Sequence, residues 1–210
     1  MNNSPPIGPG TVYVVDDDPS FSKSVSRLLG AVGYPVEIFG SAQEFLSRVV
    51  PEMRGCVVAD LQMPGMDGLE LQAALGKTAT PLPVIFLTGQ GDIPTSVRAM
   101  RGGAEDFLMK RAPKEELLGA VERAMERGEQ ERQQRARLKE MRSRFERLSE
   151  RELEVLEWVV QGKMNKEIAD DLKINLRTVK LHRTNITRKL QVQSVAELTL
   201  MASEAGLFKT

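Results

Sequence analysis

The 210-residue chain is 41% hydrophobic, enough to build real cores for one or two domains, and its 29 Lys and Arg balance 29 Asp and Glu at a formal net charge of zero. Cys56 is the single cysteine, which excludes an internal disulfide framework and a Cys-based zinc site. Apolar runs stop at about five residues, which excludes a membrane-spanning helix.

Residues 1–10 are polar and rich in Pro and Gly, without the basic start or apolar core of a secretion signal, so the cytoplasm is the expected compartment. From there to about residue 110, short β-rich runs alternate with helical stretches. Runs at about 11–15, 35–39, 56–60, 83–87 and 105–110 predict five strands, largely apolar on both faces as in a sheet covered by helices. Asp18 and Pro19 cap and open a helix over 19–32. Ser41 and Glu44 form a capping box for 42–49. Asp67 and Gly68 precede a helix over about 68–76, and Ile93 and Pro94 open another that ends at Gly102 and Gly103. The pattern is (βα)5, an α/β fold with a doubly wound parallel sheet and right-handed crossovers.

The strand ends carry chemistry. Asp16, Asp17 and Asp18 follow the first strand, Asp60 the third, Thr88 the fourth and Lys110 the fifth. Open α/β sheets place their sites at this edge. Asp16, Asp17 and Asp60 make an oxygen cage suited to Mg2+. Asp60 is placed to attack phosphorus as a carboxylate nucleophile. Thr88 can donate to one phosphoryl oxygen and Lys110 can neutralise another.

Residues 114–147 are densely charged and lack proline. Leu118, Val121 and Met125 keep a helical spacing, as do Leu138, Met141, Phe145 and Leu148, while 128–137 offers only Ala136 as an apolar position. This predicts one long helix, packed at its start, solvated in its middle and sticky at its end. A coiled-coil dimer is the second reading, against which the heptad is broken. Ser149 and Glu152 form another capping box, and Leu153, Val155, Leu156, Val159 and Val160 give the next helix its apolar face. Helices at about 165–172, 176–190 and 194–204 follow, the first two joined by a short turn over Lys173, Ile174 and Asn175. The second domain is therefore all-α, with four helices.

Segment 173–190 holds Lys173, Arg177, Lys180, Arg183, Arg188 and Lys189 and no acidic residue, a one-sided stripe that suits a polyanion as well as a solvated face. In helix 176–190, Val179, Ile186 and Leu190 form an apolar seat, away from which lie Arg177, Lys180, Leu181, Arg183 and Thr184. A major-groove helix needs that arrangement. The one histidine, His182, reads as a packing or phosphate-facing residue.

Two resemblances follow. Val15-Asp16-Asp17-Asp18, the run from Asp60 through Met63, Pro64 and Asp67 to Gly68, Leu87-Thr88-Gly89 and Asp106-Phe107-Leu108-Met109-Lys110 resemble the receiver domain of two-component response regulators over about 11–125. The resemblance implies strand order 2-1-3-4-5 and phosphorylation of Asp60 by a sensor histidine kinase. It implies Asp17 as a direct Mg2+ ligand, Asp16 acting mainly through water, and the Gln62 carbonyl as a further ligand. Thr88 and Phe107 would be a switch pair, the hydroxyl swinging toward the phosphoryl group and the ring turning inward behind it. One departure stands out: receivers usually follow the lysine with a cis proline, but Arg111 and Ala112 intervene here before Pro113. A trans bond and an altered loop are expected, because a cis bond before Arg111 would cost roughly 3 kcal/mol.

Segment 148–210 is similar to the LuxR-type helix-turn-helix domain, on the run from Leu148 through Ser149 and Glu152 to Leu156, on Asn165-Lys166-Glu167-Ile168-Ala169, and on Thr178-Val179-Lys180-Leu181-His182-Arg183. That likeness implies Lys180, Leu181 and Thr184 at base edges, with Lys166, Thr178, Arg183 and Arg188 on phosphates. Lys173 stands where the turn often has glycine, so a left-handed lysine is expected there. Residues 126–147 would be a helical linker. The whole resembles the FixJ/NarL class, closer to FixJ through Thr88-Gly89-Gln90-Gly91-Asp92 and the long linker. The expected function is a DNA-binding transcription regulator that pairs into homodimers when phosphorylated, with double-stranded DNA, the kinase and RNA polymerase as candidate partners and no membrane. An enzyme of phosphohydrolase type is the poorer reading, because Gln62 stands where a second acid is needed and no cap-sized insertion exists. A phosphorylation-independent DNA-binding regulator, using the receiver as a dimerisation module, is the alternative.

Overall fold

The computed structural model describes residues 10–79, 81–89 and 92–207. Most of the polar segment 1–10, together with Gln90 and Gly91 of the Thr88 to Asp92 stretch, lies outside the described residues. The chain divides into two compact units, with the boundary between Arg132 and Gln133.

The first unit is a parallel sheet of β1 (Thr11–Val15), β2 (Val36–Phe39), β3 (Gly55–Ala59), β4 (Val84–Thr88) and β5 (Asp106–Met109). The strand order is β2-β1-β3-β4-β5, as expected, and every pairing is parallel. The helices are α1 (Pro19–Ala31), α2 (Ala42–Arg48), α3 (Gly68–Leu75), α4 (Ile93–Arg101) and the start of α5 (Lys114–Phe145). Strand side chains alternate between two cores, since successive residues point to opposite faces. Tyr13, Val15, Val57, Ala59, Val84 and Phe86 pack with Phe45 of α2, Leu71 and Leu75 of α3 and Ala99 of α4. Val12, Val14, Cys56, Val58, Ile85 and Leu87 pack with Val25 and Leu29 of α1 and with Leu117, Ala120, Val121 and Ala124 of α5. The Cys56 thiol lies in this second core, where burial, with Glu105 nearby, pushes its pKa up to about 12, so it is an inert hydrophobe.

Helix starts follow the capping signals. Asp18 accepts from the Ser20 and Phe21 amides, and Asp67 and Glu70 cap each other's backbone. Gly55 is required at the start of β3: its φ is 126°, and a Cβ there would lie 1.8 Å from the Thr11 carbonyl oxygen. On α5 the buried face is rotated by one residue from the expected stripe. Leu117, Ala120, Val121 and Ala124 face the sheet, while Leu118 and Met125 only flank it. The alanines let the helix approach closely, and they outrank larger side chains at the contact. The packing also continues past Met125, since a Cβ on Gly128 would meet the Gly55 carbonyl oxygen and the Pro83 ring at 3.3 Å.

The second unit contains the last turns of α5, then α6 (Glu150–Val160), α7 (Asn165–Leu172), α8 (Leu176–Leu190) and α9 (Val195–Glu204). Its core gathers Met141, Phe145 and Leu148 with Val155, Leu156, Val159, Ile168, Val179, Ile186, Leu190 and Leu198. Leu153 of the expected α6 face is instead exposed. Its neighbour Glu152 is buried in its place. The α7–α8 turn is made by Lys173 in the left-handed region, φ 52° and ψ 45°, at a cost of about 1 kcal/mol. No helix among the described residues is long and apolar enough to cross a membrane.

Candidate functional site

Sheet register brings the first set of residues together. Val15 pairs with Ala59, and the Asp60 amide donates to the Val15 carbonyl at 2.8 Å, so Asp16 and Asp60 leave neighbouring strands side by side. Lys110 follows β5, and its amide donates to the Thr88 carbonyl at 2.7 Å. Its Nζ lies 2.7 Å from Asp16 Oδ2 and 2.8 Å from Asp60 Oδ2, and 4.5 Å over the Phe21 ring. After Lys110 comes Arg111 rather than proline: the described backbone has no cis peptide, and the loop closes by the Ala112 amide donating to the Met109 carbonyl at 2.8 Å.

Asp16 and Asp60 are buried, and Asp17 is exposed. One carboxylate oxygen from each of the three lies within 4.8 Å of the others. Burial raises the Asp16 pKa above the ordinary range, opposed by the hydrogen bond from Lys110. Burial works against the Lys110 charge, but hydrogen bonds to Asp16 and Asp60 outweigh it and raise its pKa. Three carboxylates against one ammonium leave excess negative charge, a donor set that fits a hard divalent cation. The Gln62 backbone amide donates to Asp60 Oδ1 at 3.2 Å, and Gln62 lines a groove with Asp17, Met63, Thr95 and Arg98. Thr88 is buried at the end of β4. Phe107 is half-buried on β5, its ring centroid 6.3 Å from that of Phe86, beside a hollow lined by Asp92, Ile93, Ser96 and Met100.

The second set lies on α7 and α8. Val179, Ile186 and Leu190 are buried, and Arg177, Lys180, Leu181, Thr184 and Arg188 are exposed on α8, as is Lys166 on α7. Leu181 is 58% exposed, an apolar side chain held out beside cations. Thr178 is half-buried. Arg183 is half-buried and donates Nη1 to Asn165 Oδ1 at 2.9 Å, which ties α8 to the start of α7. Arg188 donates to Asn185 Oδ1 at 3.2 Å, and Thr184 Oγ1 to the Lys180 carbonyl at 3.0 Å. His182 is half-buried, and its Nδ1 has no hydrogen-bond partner.

Lys189 departs from the basic stripe. It points inward, with Nζ 2.6 Å from Glu152 Oε2 and 3.0 Å from the Arg147 carbonyl, and so is spent on holding α8 to α6. Met164 escaped sequence reasoning. It is the N-cap of α7 and supplies no side-chain cap, while the Glu167 carboxylate of the first turn accepts from the Met164 backbone amide at 2.6 Å. A methionine directly before Asn165 and Lys166 was the signal.

The comparisons with known proteins match two segments of the chain. The response regulator receiver domain family matches residues 12–122, and the bacterial regulatory proteins of the luxR family match residues 146–202. The chain is 41% identical to nodulation protein W of Bradyrhizobium diazoefficiens over 93% of its own length and 86% of that protein. It is 37% identical to the transcriptional regulatory protein FixJ of the same organism over 94% of its length and 97% of that protein. Among solved structures, the response regulator StyR matches at a TM-score of 0.83 and 42% identity, covering 93% of this chain and 98% of that one.

Proposed function

The chain belongs to the two-component response regulators, with a receiver domain and a LuxR-type DNA-binding domain, and from that premise we propose that Mg2+-dependent phosphorylation of Asp60 switches its binding to DNA. The observation that carries this reading is the Lys110 ammonium seated between Asp16 and Asp60, with Asp17 beside them.

In this reading a sensor histidine kinase presents its phosphohistidine at the strand ends. A carboxylate oxygen of Asp60 attacks phosphorus, the bond from phosphorus to the histidine nitrogen breaks, and an acyl phosphate forms on Asp60. Lys110 then pairs with a phosphoryl oxygen, and Thr88 donates to another. Asp16, Asp17 and Asp60, with the Gln62 carbonyl, would hold Mg2+, which when bound offsets the negative charge that gathers at the phosphoryl group. As Thr88 turns toward the phosphoryl group, Phe107 turns inward. The α4–β5–α5 face then shifts between two states, and two molecules pair.

Pairing matters because one four-helix module makes few phosphate contacts and binds weakly alone. Two linked modules gain by effective concentration. Lys180, Leu181 and Thr184 then read base edges, and Lys166, Thr178, Arg183 and Arg188 hold phosphates. RNA polymerase would be met at the promoter, in the cytoplasm.

The test uses the wild-type chain and Asp60→Asn, each with and without a small-molecule phosphodonor and Mg2+. Intact mass, sedimentation and DNA titration are read on the same samples. The wild type should gain a phosphate, dimerise more tightly and bind DNA at lower concentration, and Asp60→Asn should do none of these. A phosphate adduct of equal stability on Asp60→Asn overturns the acceptor. Unchanged dimerisation and affinity in a phosphorylated wild type favour the regulator that works without phosphorylation.

A further inference from the structure

α4 is weakly held along its length. Ala99 is its one buried residue, and an alanine removes little apolar surface from water. Ile93, Val97 and Met100 are exposed. Nine residues are too few to persist as a helix without outside support.

The support stands at the C-terminal end. Gln72 of α3 is buried, and its Nε2 donates to the Ala99 carbonyl at 3.1 Å. The same carbonyl accepts from the Ala104 amide at 3.1 Å, the bond that closes the helix. Gly102 lies directly on the amide: a Cβ there would come within 2.6 Å of Gln72 Oε1. At the other end Asp92 caps its own helix, accepting from the Thr95 amide at 2.6 Å, and Ile93 is 80% exposed beside the hollow next to Phe107. The helix is thus gripped at one end and loose at the end nearer Thr88. A buried amide that lost its partner would cost free energy, so this grip resists release.

We propose that Gln72 is a positioning residue for the switch: its buried amide pins the C-terminal end of α4, so that α4 moves as a lever about Ala99 when Thr88 and Phe107 change. This rests on the receiver reading above.

The full chain is compared with Gln72→Met, which keeps the length and removes the donor, and with Gly102→Ala, which pushes the amide aside. Gly102 has φ −72°, so alanine adds no backbone strain there. Hydrogen exchange is read on α4, α3 and the strands, and intact mass and sedimentation are read with phosphodonor and Mg2+. Both variants should take up phosphate at Asp60 as the wild type does. Their α4 amides should exchange about tenfold faster, as for one lost buried hydrogen bond, with α3 and the strands unchanged. Their dimerisation response should fall by a similar factor. A wild type that takes no phosphate overturns the receiver reading. A normal wild type whose variants keep both the full response and the slow α4 exchange overturns the pin alone. Faster exchange spread through α3 and the strands also overturns it, because Gln72 would then be a packing residue.

Discussion

Lys180 and Lys166 carry the same charge on two helices of one motif, and the proposed interface assigns them different work. Lys180 projects from the exposed face of α8 beside Leu181, where base edges would lie. Lys166 stands in the first turn of α7, beside amides that Met164 leaves without a side-chain cap. Lys180→Ala should weaken specific binding by about 1–3 kcal/mol and leave random DNA less affected. Lys166→Ala should weaken both alike and reduce the salt slope by about one. Salt titrations on specific and random DNA separate the two; equal losses on both DNAs for Lys180→Ala would make it a phosphate contact. Charge alone did not sort these lysines from Lys189. Its inward turn depends on a buried carboxylate on another helix, which the local sequence around Lys189 does not reveal.

Glu152 joins two helices. It sits at the start of α6, accepts from the Ser149 amide at 2.8 Å and takes Nζ of Lys189 from the end of α8 at 2.6 Å. Burial alone would raise its pKa, but the hydrogen bonds from Lys189 and Ser149 prevail and hold it below the ordinary value of 4.5. Its folded value lies below its unfolded one, so its stabilisation is fully present above about pH 4.5 and is lost as pH falls through the folded value. Glu152→Gln should therefore destabilise the second unit by about 1–3 kcal/mol near neutral pH, less than a fully buried pair would because Lys189 keeps some access to water. It should also flatten the loss of stability on acidification. Thermal melts between about pH 3 and pH 7 check both; an acid limb as steep in the variant as in the wild type would remove Glu152 from the account. The capping box was legible from Ser149 and Glu152, but burial of the carboxylate was not. Periodicity counts apolar positions, and it chose Leu153 for the face that Glu152 occupies. On α5 the same preference for large side chains chose Leu118 and Met125 over Ala120 and Ala124, although small residues set the close approach there.

Across the whole chain, the elements that carry chemistry were the most legible. Five strands, four of them ending in acids, a hydroxyl or an amine, declare both a parallel sheet and its functional edge. The regular alternation of strand and helix leaves few other topologies. Contacts made by residues with little to announce them were hidden, such as Gly128 against Gly55 and Gln72 under α4, whereas the sticky end of α5 was legible in Met141 and Phe145, which join a core mostly built from later helices. That last feature governs how the protein can be taken apart. Met141 and Phe145 are 8% and 3% exposed in the core of the second unit, yet they belong to the helix that begins at Lys114 in the first. A fragment cut at Leu148 discards both, along with the Arg142 hydrogen bond to the Ala205 carbonyl at 3.2 Å. At about 2–5 kcal/mol for each large core side chain lost, it should unfold at markedly lower denaturant than a fragment that begins at Gln133, and equal midpoints would contradict that ledger of contacts. The two halves are thus distinct in chemistry but not interchangeable cassettes. A chimera that grafts this DNA-binding half onto another receiver must inherit its splice point from the interior of one continuous helix, upstream of Met141.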